Sequence, residues 1–180
     1  AVGYQALYDN TTGTRLIAVG SNALSNNTTA NYNIAVGHNS LLVNTTGTGN
    51  VAVGDSALYL NTTGEGNTAV GTFDGTVLPA LYSNTTGSSN VAVGTGALKQ
   101  NTTASNNTAV GFSAGSSNTT GTYNTAIGRA SLSNNTTANL NTAVGDYSLF
   151  DNTTGANNVA LGASALENNT TASNNTAVGY

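Results

Sequence analysis

The sequence predicts an all-β fold, a parallel β-solenoid (β-roll) of about ten 17-residue repeats, and three observations carry that expectation. First, the glycine closing an Ala-Val-Gly type triplet returns every 17 residues, at Gly3, Gly20, Gly37, Gly54 and Gly71, and again at Gly94, Gly111, Gly128, Gly145, Gly162 and Gly179. Second, each return brings the same companions, so that the unit reads AVGxxALxxNTTGxxNT. Third, charged residues are only 6% of the chain, whereas 29 Asn and 31 Thr make up a third of its 180 residues. In a stack of identical coils each side chain lies about 4.7–4.9 Å from its counterpart in the next coil. A charged column would therefore repel itself, while Asn and Thr columns hydrogen-bond from coil to coil.

Each element of the unit has a physical reason. The three residues before the glycine are β-branched, then Ala, then Val, Ile or Leu, as in Ile17-Ala18-Val19 and Thr108-Ala109-Val110. This is the period-two pattern of a short strand, with Ala on one face and branched residues on the other. The Ala column allows close approach of another layer, either the opposite wall of the same coil or another subunit. Glycine permits positive φ and close backbone contact, which places the turn out of the strand there.

Four residues after the glycine stands Leu7, Leu24, Leu41, Leu58, Leu98, Leu132, Leu149 or Leu166, with Leu81 filling the position after one longer step and Gly115 as the one break. These stacked leucines are expected to supply most of the coil's burial, at about 25 cal/mol per Å². The Asn-Thr-Thr step and the second Asn column, Asn33, Asn50, Asn67, Asn90, Asn107, Asn124, Asn141, Asn158 and Asn175, suit corners between walls, because Asn tolerates turn geometry. Asn ladders are expected there. One step, Gly71 to Gly94, is 23 residues long and contains the sole Pro and the pair Asp74-Gly75. Residues 72–79 are read as an inserted loop, and insertions in solenoids are often where binding occurs. The chain, 1–180, reads as one repetitive segment of a longer array, because both ends fall in mid-repeat without polar caps.

The net charge of −4 comes from scattered acids, and Arg15, Lys99 and Arg129 form no patch, so neither nucleic acid nor membrane insertion is expected. Without Cys there is no disulfide framework or thiolate metal site. No catalytic residues, cofactor or metal are assigned: His38 is the only His, and it shares a column with Asp55, as Arg129 does with Asp146, which reads as two ion pairs between coils. Tyr59, Tyr82 and Lys99 also share a column, read as ring stacking with a cation–π contact, or more sharply as a sugar-binding strip.

The N-glycosylation acceptor pattern is met at Asn10, Asn27, Asn44, Asn61, Asn84, Asn101, Asn118, Asn135, Asn152 and Asn169, so one expectation is a glycosylated filament subunit. It requires that these Asn face solvent. An ice-binding solenoid is a further alternative, but Thr11 and Thr12 are adjacent, so pleating sends them to opposite faces.

At the segments Asn67 to Gly71, Asn107 to Gly111, Asn141 to Gly145 and Asn175 to Gly179, all NTAVG, the chain resembles head repeats of trimeric autotransporter adhesins. It is similar also to the NTAVGxxAL and NTTG arrays of large bacterial surface and tail-fibre-like proteins. The resemblance implies a left-handed β-roll, three chains side by side with the Ala column suited to the subunit contact, and an extracellular structural or adhesive role. Self-association, as a homotrimer or as an end-to-end fibre, and glycan or host-surface ligands are the partners expected.

Overall fold

Because the branched triplet recurs at one period, each repeat places its strand beside the last one. The computed structural model describes all 180 residues and contains ten three-residue strands. They are β1 (Ile17–Val19), β2 (Ile34–Val36), β3 (Val51–Val53), β4 (Thr68–Val70), β5 (Val91–Val93), β6 (Thr108–Val110), β7 (Thr125–Ile127), β8 (Thr142–Val144), β9 (Val159–Leu161) and β10 (Thr176–Val178). They form one parallel sheet in chain order, every Ala opposite an Ala. The protein is a β-solenoid. Of 111 backbone hydrogen bonds only 18 lie within the strands, so coil-to-coil bonding continues through the turns and corners. No helix is long and apolar enough to cross a membrane.

The core is a single column of Ala and Leu. Its 22 buried residues are the strand Ala, the Leu and the Ala preceding that Leu, with Leu24, Leu41, Leu58 and Leu81 fully enclosed. The strand Ala therefore faces the opposite wall of its own coil. This corrects the subunit-contact reading of the Ala column: Ala35, Ala52, Ala69 and Ala92 have no accessible surface left for another chain. Where Ser replaces Ala before the Leu, its hydroxyl donates to the carbonyl of the coil's own glycine, as Ser40 does to Gly37 at 2.9 Å and Ser148 to Gly145 at 2.9 Å.

The leucines sit at positive φ, from 49° at Leu98 to 56° at Leu7. This left-handed conformation costs a non-Gly residue about 1–2 kcal/mol. Full burial of a Leu gains about 1.5–3 kcal/mol, so burial wins. Gly115 takes the same place at φ 57°. The strand-closing glycines other than Gly71 lie further out, near φ 130°, and a Cβ on Gly20 would collide with the carbonyl of Gly37 in the next coil. Close approach and conformation both require glycine at that position.

Candidate functional site

Corners built from amides have to satisfy every buried N–H and C=O. In the Asn-Thr-Thr column each Asn Nδ2 donates to the Oδ1 of the Asn one coil back, from Asn27 to Asn10 through Asn169 to Asn152, nine bonds of 2.8–3.2 Å without a gap. The second N–H goes to the carbonyl three residues on in the same coil, as Asn101 to Ala104 at 3.0 Å. The other Asn column works differently. Its Oδ1 accepts the backbone N–H of the next Asn in the column, and its Nδ2 donates to a carbonyl of the next coil, as Asn50 does from Asn67 and to Gly64. Both ladders expected from the sequence are present, and no buried side-chain polar atom lacks a partner.

The ladders bear on the condition set for glycosylation, that these Asn face solvent, which eight of the ten do not meet. Asn27, Asn44, Asn61, Asn84, Asn101, Asn118, Asn135 and Asn152 are buried at 2% exposure or less, while Asn10 and Asn169 are half-buried. A sugar on Nδ2 would replace a ladder donor and needs open space, and the folded coil offers neither at those eight positions. The paired threonines divide as pleating suggests. The first, such as Thr45, is half-buried and donates to the next coil's Thr carbonyl at 3.1 Å, while the second, such as Thr46, is exposed.

Two pairs of titratable side chains meet across coils. His38 Nδ1 lies 3.4 Å from Asp55 Oδ1, and Arg129 makes a bidentate pair with Asp146 at 3.0 Å for each bond. Hydrogen bonding to Arg129 holds the Asp146 carboxyl below the usual range and raises the guanidinium in turn. Arg129 lies over the Tyr147 ring at 4.7 Å, and Arg15 over Tyr32, whose hydroxyl it also contacts. The rings of Tyr59 and Tyr82 stack at 5.2 Å as expected, but the cations over aromatic rings are Arg15 and Arg129, which corrects the assignment to Lys99.

The irregular place is residues 72–79. Asp74 Oδ1 accepts from the N–H of Val77 at 2.7 Å, the N–H of Thr76 at 2.9 Å and the Thr76 hydroxyl at 2.9 Å. These bonds, that from Val77 first, hold the Asp74 carboxyl below its usual range. Val77 is seated over Gly96 of the next coil, where an added Cβ would come within 2.8 Å of Val77 Cγ1. The loop thus arches out and is pinned back, and β4 and β5 still pair in register, Thr68 with Val91. Between loop and wall lies a cavity of about 170 Å³ lined by Ser56, Phe73, Leu78, Pro79 and Tyr82. The loop was legible in the sequence, but Ser56, Phe73 and Leu78 were not singled out. Phe73 and Leu78 did carry a signal, two large apolar residues placed in the inserted stretch beside Pro79, whereas Ser56 carried none because it belongs to the preceding coil.

No protein family model, curated protein or solved structure matches this chain.

Proposed function

We propose that the chain is a segment of an extracellular structural or adhesive fibre, a stiff rod that presents its outward columns and its one loop at fixed spacing. The observation that carries this reading is the unbroken Asn ladder, nine side-chain bonds long, which ties each coil to the next along the whole stack. A chain that spends a third of its residues on Asn and Thr to lock identical coils is built for regular extension. The NTAVG segments, similar to head repeats of trimeric autotransporter adhesins, support the same reading and add self-association, as a homotrimer or end to end. The mechanism is display rather than bond-making chemistry.

Antibodies raised against the chain test localisation directly. Labelling of intact, unpermeabilised source cells is the expected result, and an antigen confined to the cell interior overturns the reading. Light scattering with negative-stain imaging reads the assembly: trimers or fibres support self-association, and a monomer at all concentrations removes it.

A further inference from the structure

We infer that the cavity under the 72–79 loop is a binding site for a single pyranose sugar ring. Its walls differ in character. Phe73, Leu78 and Pro79 supply apolar lining, with Phe73 and Leu78 exposed at 45% and 37%, and Tyr82, stacked on Tyr59, adds an aromatic ring. Ser56 supplies a polar group to the same lining, backed by Asp55 and His38 behind it in hydrogen-bond sequence. The Ser56 hydroxyl donates to Asp55 Oδ1 at 2.6 Å, and His38 Nδ1 approaches that same oxygen at 3.4 Å. With its proton committed to Asp55, the Ser56 oxygen faces a ligand as an acceptor.

A pyranose has the matching division, with C–H faces that pack on aromatic and aliphatic surface and a rim of hydroxyls that both donate and accept. At about 30 Å³ per water, the 170 Å³ cavity holds about five or six waters, the scale of one ring rather than a drug-sized ligand. The site is also preorganised. The three bonds to Asp74 and the seat of Val77 on Gly96 fix the loop before any ligand arrives, so little ordering cost remains for binding.

The site rests on the display reading above, as its adhesive element, and it is tested on the soluble chain so that the two fail separately. Methyl glycosides of glucose, galactose and N-acetylglucosamine are titrated to about 100 mM, in the weak regime natural to one ring, while tyrosine fluorescence and NMR shifts are followed. Saturable binding by at least one sugar is expected. It should weaken about tenfold or more in Phe73→Ala and in a variant whose residues 72–79 are replaced by two residues, with melting unchanged in Phe73→Ala. Absence of saturable binding by all three sugars overturns the site, as does binding that survives both variants. An oligoproline peptide that binds where the sugars do not also overturns it. None of these outcomes bears on surface localisation or assembly.

Discussion

At the scale of the residue, two kinds of position decide the fold, and they obey opposite rules. Buried Asn is tolerated because all of its hydrogen-bonding capacity is used. Asn101→Ala removes the donor to Asn84 Oδ1 and the acceptor for Asn118 Nδ2. At about 1–3 kcal/mol per buried orphan, the expected loss is about 2–6 kcal/mol, read by denaturant unfolding or as faster amide exchange in the flanking coils. The left-handed leucines of the core are offset by their burial. Leu140 has φ 59° and is exposed, so it has no such compensation. Leu140→Asn, in a column that carries Asn106, Asn157 and Asn174 at similar φ, should stabilise by about 0.5–1 kcal/mol, measured as a higher melting temperature. Nothing in a Leu announces this conformation. The signal in the sequence was indirect: Gly115, Gly96, Gly49 and Gly66 replace larger residues in the columns whose other members sit at positive φ.

At the scale of the element, the coil is more than its strand, and the loop is separable from it. Replacing residues 72–79 by two residues, as in every other coil, should leave the parallel register and the melting temperature nearly unchanged, because Leu58 N–H already bonds to Ala80 and Leu60 N–H to Tyr82 across the seam. Circular dichroism and thermal melting check this. The ion pair between neighbouring coils has a defined pH sign. Asp146 is held below the usual carboxyl range in the folded state, so as pH falls the unfolded chain takes up this proton first. The contribution is present above about pH 4, the unperturbed Asp value, and is lost as pH falls through the folded value. Melting curves of the native chain and Asp146→Asn should therefore differ at pH 6 and converge on acidification. A difference that stays constant with pH contradicts this account. The loop and its turn were legible from Asp74-Gly75 and Pro79, but its cavity was not, since Ser56 comes from a different coil and only the stack brings it to Phe73.

At the scale of the whole molecule, the period alone made the architecture legible, because a residue that recurs every 17 places must recur in the same environment. The period did not say which Asn were inside. Two columns of one residue type are alike in sequence, and only the closed coil distinguishes an amide turned inward from an exposed one such as Asn26. The sum of the coils is a rod about 50 Å long, ten rises of the interstrand spacing, which small-angle scattering of the dispersed chain measures. With seven acids and three basic residues in all, little of its stability is electrostatic. Raising salt from about 0.05 to about 0.5 M should shift the melting temperature by no more than a degree or two, in contrast to proteins held by surface ion pairs.

The seam between Gly71 and Ala80 shows that inward and outward columns are independent of each other. The stack absorbs six extra residues at one coil while β4 and β5 keep their pairing, and the corresponding two-residue seam occurs in every other coil. The protein is thus a graduated rack. A recognition loop can be mounted at any rung, or at several, and the distance between two such loops is set by counting coils rather than by a flexible tether.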